Sequence, residues 1–458
     1  MAEFIRLPTR SVGLKFLLVC ALGLVMAVPT SSVWLVLQDR LNRYNEVRNE
    51  ISRYEGGMQT VLGPVLLAPY SKQVENVASD GKREIVTLRG ESVVFPETGI
   101  VEAKLAAEER RRAIYTIPTF KAQISVKAHF DLAQGAAALT ALDPAAVYDW
   151  PKARLAMGVS NTVGLLTDVT LNLPAGAKRQ LKPTSVAAAP GSSMGLALAA
   201  APVGDLMAAR ASFDVDTAFE LSGAERFSVA TFAKDTTARI SGSWPHPSFE
   251  GGFLPDKAKT KIDDKSFSAE WNAPLVRRGI PEAASDISVL NDTAAKDFGV
   301  RLTEPTNIYT GVNRALKYSM MFIGLVFVAY FMFEIVSGAR AHPAQYIMIG
   351  LAQAIFYLLL LAFAERLGFT AAFLIAAAAT VSLISLYVQV VFKARLYVIP
   401  AFATFTVVYA LMYVLMQMEE YSLLVGSLMS FAALAALMYL TRNVAWYGAA
   451  DEREAKGA

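Results

Sequence analysis

Six long apolar runs, one near the start of the chain and five crowded near its end, constrain this sequence more than any other feature. They cover residues 16–37, 318–336, 345–364, 369–392, 396–416 and 422–440. Each is close to the ~20 residues that a helix needs to cross a bilayer. The stretch between the first two runs is polar and long enough for one or two folded domains. The expected division is therefore residues 1–37 as N-terminus and first span, 38–317 as an extramembrane domain, 318–441 as a five-helix transmembrane bundle, and 442–458 as a tail.

Charge orients these spans. Arg6, Arg10 and Lys15 precede the first run and hold it with its start in the cytoplasm. A cleaved signal peptide is disfavoured, because apolar residues continue past Pro29 from Val33 to Leu37 and no A-x-A site follows. Counting onward, Arg340, Lys393, Arg395 and Arg442 fall on the side of the N-terminus. The opposite short loops carry Glu365, Arg366, Glu419 and Glu420. Both termini are thus expected in the cytoplasm and the large domain across the membrane, which in a two-membrane bacterium is the periplasm. A net charge of +3 is too small to mark a nucleic-acid partner, so the expected contact is the lipid bilayer. The single cysteine, Cys20, lies in the first run, so the domain is held by its hydrophobic core and not by a disulfide.

Just beyond the first run, Leu37, Leu41, Tyr44, Val47, Ile51, Tyr54 and Met58 recur at steps of three and four. This spacing predicts an amphipathic continuation of the first helix, stopping at Gly56 and Gly57. The period then changes to two. Residues 122–130 and 213–219 alternate apolar and polar, as half-buried strands do. Further strands are expected at 61–70, 91–95, 113–117, 168–173, 227–232, 239–244 and 267–271. Pro96, Pro118, Gly164, Gly223 and Gly242 are read as separators between them. The domain is expected to be β-rich and sandwich-like, built from antiparallel sheets, with a loop in the Ala-rich stretch 186–202. The fold class is α+β.

Candidate sites divide into two places. Residues 244–255 combine prolines, adjacent glycines and aromatics; Trp244, His246, Pro247, Phe249 and Phe253 form either a recognition surface or a rigid corner, and the corner is favoured. Glu334, near the cytoplasmic end of the second span, must face protein or reach the interface, with Arg340, His342 and Lys393 as plausible partners. A structural clamp is favoured there over an ion site. Gly191 to Gly195 match the G-x-S-x-G of a nucleophile elbow around Ser193, but the preceding residues make a poor strand and the domain reads as β. His129, His246 and His342 are scattered without ligand spacing, and no phosphate-loop motif is present, so no metal or cofactor is expected. The third to sixth spans hold no Asp, Glu, Lys or Arg in their interiors, while neutral polar groups such as Gln353, Ser382, Ser385 and Gln389 remain, which weakens ion-coupled transport without excluding it. Ala372, Ala376 and Thr380, like Gly426 and Ser430, repeat every four residues and suit close helix packing.

Several segments together resemble the CreD family of bacterial inner membrane proteins. They are Glu50-Ile51, residues 57–70 (GMQTVLGPVLLAPY), 111–118 (RRAIYTIP), 244–255 (WPHPSFEGGFLP) and Phe298-Gly299-Val300. They continue through Tyr309, 314–318 (RALKY), Glu334, 342–346 (HPAQY), 365–369 (ERLGF), 418–421 (MEEY), Thr441-Arg442 and Trp446-Tyr447. The chain departs from the family pattern at Tyr54, where Trp is usual, and at Gly57 and Met58, where Glu is commoner. The resemblance implies a role in envelope integrity, linked to a two-component stress response and to tolerance of β-lactams and certain colicins. It carries no catalytic residue onto this chain.

The leading expectation is a non-enzymatic inner membrane protein whose periplasmic domain binds an unknown envelope protein or cell-wall component. The competing class is a transporter or channel for a small or amphipathic molecule, and a weaker third is a periplasmic hydrolase. A polar cavity through Gln353, Ser385 and Gln389 would favour transport, and a Ser193–His246 pair would favour hydrolysis.

Overall fold

The first helices form where the sequence is apolar and lacks internal glycine pairs. In the computed structural model, which describes residues 12–77, 83–184, 195–207, 212–303, 308–337, 341–392, 395–417 and 422–442, helix α1 spans Val12–Val25 and α2 spans Ala27–Glu55. Pro29 explains the break between them. Its ring carries no N–H and crowds the carbonyl four residues back, so the Val25 carbonyl, at the end of α1, loses its ladder donor. The Met26 carbonyl accepts from both the Thr30 amide at 3.3 Å and the Thr30 hydroxyl at 2.8 Å. Helix α2 stops where expected: Gly56 and Gly57 have φ values of 89° and 70°, a conformation that glycine adopts without a Cβ penalty.

The chain forms two compact units, Asn45–Pro305 and Met1–Tyr44 with Thr306–Ala458. In the first, the described residues build a ten-stranded and an eight-stranded sheet. The ten-stranded sheet is organised around Gln59–Val77, which pairs antiparallel with Arg83–Val94 and Arg154–Val159 and parallel with Arg226–Val229. Phe298–Leu302 and Pro247–Gly251 extend it beyond Arg226–Val229. At the centre of the eight-stranded sheet, Thr98–Arg112 and Tyr115–Phe130 form a long hairpin, flanked by Phe213–Ala224 and by the parallel strand Asp235–Gly242. Four helices accompany the sheets: α3 (Leu132–Leu142), α4 (Gly204–Met207), α5 (Leu275–Arg278) and α6 (Val289–Ala295).

Both sheets contribute to one hydrophobic core, Val61, Leu62 and Val65 from one and Val101, Ile124, Phe219 and Leu221 from the other. Phe232 locks the two layers together. A Cβ added at Gly63 would lie 2.5 Å from its ring, and one added at Gly99 would lie 2.4 Å from it, so the ring fits only because a glycine of each sheet lies beneath it.

The expectation of purely antiparallel sheets fails at two ladders, Gln59–Val61 with Phe227–Val229 and Thr98–Leu105 with Asp235–Gly242. Of the expected separators, Gly242 is paired with Phe267 and Leu105 at the end of its strand, and two others lie deeper inside strands. Pro118 is paired with Glu109 in the hairpin, and Gly223 is paired with Phe120, whose ring fills the space a Cβ would need. Residues 115–117 and 122–130 are therefore parts of a single arm, and residues 113 and 114, expected to open a strand, form the turn that precedes it. The Ala-rich stretch is not all loop: residues 185–194 lie outside the described residues, but Ala197–Pro202 pairs with Arg154–Val159 because Leu198, Ala200 and Ala201 are buried.

The other unit is helical. After α7 (Ile308–Lys317) come five apolar helices: α8 (Ser319–Ser337), α9 (Pro343–Leu367), α10 (Phe369–Phe392), α11 (Val398–Gln417) and α12 (Ser422–Thr441). The Gly13–Glu55 stretch and α8 to α11 are long and apolar enough to cross a bilayer. Helices α9 and α10 form a hairpin that turns at Gly368, with Ala372, Ala376 and Thr380 buried along α10. That small-residue row is what lets neighbouring backbones approach.

Candidate functional site

The aromatic loop is anchored from within. Trp244 is buried and its indole N–H donates to the Thr303 carbonyl at 2.9 Å. Thr303 in turn donates to the His246 carbonyl through both its amide (3.2 Å) and its hydroxyl (2.6 Å). Residues Pro247–Gly251 form a strand whose Phe249 meets the Trp271 ring edge-on at 5.5 Å. Phe253 is buried against Phe298 at 5.7 Å, with the Arg277 guanidinium over its ring. The aromatic side chains are thus spent on the core, while His246 and Leu254 remain exposed.

Beside this loop lies an arrangement that sequence reasoning missed. Arg226 clasps Asp297 through two bonds of 2.9 and 2.8 Å, and Ser228 donates to the same carboxylate at 2.7 Å. Arg226 also approaches Glu250 (3.7 Å), Glu250 accepts from Arg301 (2.7 Å), Arg301 lies 3.8 Å from Glu225, and Glu225 accepts from Arg48 of α2 at 2.6 Å. Cations and carboxylates alternate along the whole row. Glu225 and Asp297 are buried, and the Asp297 carboxylate holds the Arg226 guanidinium above its ordinary pKa. Glu225 adopts a φ of 65°, rare for a residue with a side chain. The six members are scattered through the chain, so no local motif could have announced them.

A second buried charge, Arg278, lies at the end of α5. Its guanidinium stacks 3.9 Å from the Phe95 ring and donates to the Ala233 carbonyl at 3.1 Å. Burial pushes its pKa down to about 10.

In the helical unit, Glu334 is buried and held from three directions. Its carboxylate forms an ion pair with Lys15 of α1, accepts from the Tyr346 hydroxyl at 2.8 Å and accepts from the Ala341 amide at 2.9 Å. Lys15 also donates to the Ala341 carbonyl at 2.9 Å. The described cationic partner is therefore on the first helix. His342 does something else: its Nδ1 accepts from the Ala344 amide while Gln345 accepts from the His342 amide, a box that starts α9. Arg340 and Lys393 lie outside the described residues.

At the other end of these helices, Glu365 lies 3.6 Å from Arg40 and accepts from the Tyr309 hydroxyl at 3.3 Å. Arg314 donates to the Met416 carbonyl near the end of α11, where helix carbonyls lack internal partners. Within the bundle, Gln353 and Ser385 are buried, and Gln353 Nε2 and Ser385 Oγ make no hydrogen bond with any described residue. Ser382, Ser385 and Gln389 fall at i, i+3 and i+7 on one face of α10, but their burial differs: Ser382 is exposed, Ser385 buried and Gln389 half-buried.

Ser193 lies outside the described residues. His129 contacts exposed Asp214 at 2.7 Å. Among the described residues no group of three His, Cys, Asp or Glu side chains is placed to hold a metal.

Comparison with known proteins covers almost the whole chain. A family model described as inner membrane protein CreD matches residues 11–447. The inner membrane protein CreD of Escherichia coli (strain K12) is 28% identical over 432 residues, which cover 93% of this chain and 91% of that protein.

Proposed function

Because the chain belongs to the CreD family of inner membrane proteins, we propose that it is a non-catalytic, six-span protein whose residues 38–317 face the periplasm and bind an envelope component or a partner protein. Its cellular setting is then the one the family resemblance implies, envelope integrity under stress. The observation that carries the binding role is the loop at 244–255. Trp244 and Phe253 fix its base in the core, while His246 and Leu254 stand outward from that rigid base. An ordered loop on a rigid scaffold loses little freedom on binding.

The test is crosslinking in living cells from a photoreactive residue at position 246 or 254, with mass-spectrometric identification of the product. A discrete adduct, absent when the probe sits at exposed Val147 on another part of the same unit, supports the reading. Identical, diffuse labelling from all three positions contradicts it.

One observation favours the transport alternative. Gln353 and Ser385 are polar groups buried among apolar helices with unpaired atoms, a costly arrangement that a passing polar solute would relieve. Gln353→Leu separates the two readings. A binding protein tolerates or gains from the change, whereas a transporter loses flux.

A further inference from the structure

A cleft of about 410 Å³ opens in the helical unit between α2 and the α7–α8 segment. One wall is Ala27, Thr30, Ser31 and Trp34; the other is formed mainly by Asn313, Leu316, Lys317 and Met320. Both walls repeat at intervals of three, one and three residues, so each is a single helix face.

The chemistry changes along these walls. Ala27 and Met320 make one end apolar. Trp34, 46% exposed, and the exposed Asn313 and Lys317 make the other end polar. The distance along α2 from Ala27 to Trp34 is ~10 Å at 1.5 Å per residue. No carboxylate lines the cleft. Lys317 makes no hydrogen bond or ion pair with any described residue, although its neighbour Arg314 is spent on the Met416 carbonyl. Thr30 is spent on Met26.

From this juxtaposition we propose that the cleft is a binding site for one anionic phospholipid. The phosphate sits against the Lys317 ammonium and the Asn313 amide, with the Trp34 indole beside it at the headgroup level. An acyl chain runs past Leu316 toward Ala27 and Met320. Three features select this occupant. An ammonium without a partner among the described residues demands an anion, the polar-to-apolar gradient demands an amphiphile, and a tryptophan beside a lysine is the usual composition of a membrane interface. The site is independent of what the β-rich unit binds.

The experiment uses the full chain, purified in a non-ionic detergent. Native mass spectrometry and thermal unfolding are followed on adding phosphatidylglycerol, phosphatidylcholine of the same acyl chains, or soluble glycerol phosphate. The proposal expects retention of one phosphatidylglycerol with a raised unfolding temperature, and little response to the other two. Lys317→Gln should weaken phosphatidylglycerol binding about tenfold, Lys317→Arg should keep most of it, and Trp34→Ala should weaken it less. Lys317 is exposed, so the unliganded unfolding temperature of the Gln variant should match the parent. Equal retention of both lipids, or a Lys317→Gln variant that binds as the parent does, would overturn the proposal. So would glycerol phosphate binding as well as the lipid, which would make the cleft a site for small anions.

Discussion

Lys15 and Glu334 stand 319 positions apart in the chain and meet as a part-buried ion pair that ties the first helix to α8. A carboxylate placed among apolar helices is costly unless it is paired and fully hydrogen-bonded. Here every oxygen is used: one by Lys15 and the Ala341 amide, the other by the Tyr346 hydroxyl. The pair therefore specifies where the N-terminal helix docks.

Removing only the cation should hurt most. Lys15→Met leaves Glu334 buried without a counter-charge, a change that typically costs about 3–5 kcal/mol. The double variant with Glu334→Gln keeps an acceptor for Tyr346 and removes the uncompensated charge, so it should regain a large part of the loss. Unfolding temperatures of the four proteins in detergent check this. Equal losses in the single and double variants would contradict it.

Glu334 separates what is legible in the sequence from what is not. Its cost in a membrane segment was legible from residue type alone. Its partner was not, because sequence neighbours such as His342 draw attention first, and Lys15 becomes adjacent only after the helices assemble. The strands behave likewise. Residues 122–130 and 213–219 were visible through their period of two, and both alternate in burial. The arm Thr98–Arg112 was not, since its inward positions begin with Gly99 and include Ala103, too small to give an apolar signal. Pro118 and Gly223 misled for a related reason. Their usual role as breakers was overridden by the Glu109 pairing and by the Phe120 ring.

The glycines under Phe232 give a packing test. Gly99→Ala places a methyl against a ring that has no room to shift, and such overpacking costs about 1–3 kcal/mol. Combining it with Phe232→Leu should recover part of that loss, because the smaller side chain vacates the contact. Protease resistance of the full-length protein provides the readout. Purely additive losses would show that the ring and the glycine do not compete for space.

The loop at 244–255 separates structural from recognition residues. Trp244→Phe removes the donor to the Thr303 carbonyl and should cost about 1 kcal/mol, the usual net worth of such a bond. His246→Ala and Leu254→Ala are surface changes and should stay within about 0.5 kcal/mol. Thermal unfolding decides between these outcomes. A large loss at Leu254 would mean that it is part of the core.

Acid should weaken the β-rich unit through identifiable pairs. Lys72 holds the Asp143 carboxyl below its ordinary value of 3.8, and Lys259, with Arg239, holds Glu270 below 4.5. A lowered carboxyl pKa stabilises the fold at every pH above the unfolded value, and the contribution disappears as pH falls through the folded value. The gap in unfolding temperature between the parent and Glu270→Gln should therefore be constant above about pH 5 and close on acidification. A gap that widens on acidification would reverse the assignment.

Labelling of a cysteine placed at exposed position 147, in a chain whose Cys20 is replaced by alanine, tests the proposed topology most directly. A membrane-impermeant maleimide added to intact spheroplasts should modify it fully, as expected of a domain carried outside the cytosol. Modification only after the inner membrane is broken would place the β-rich unit in the cytosol and contradict the account.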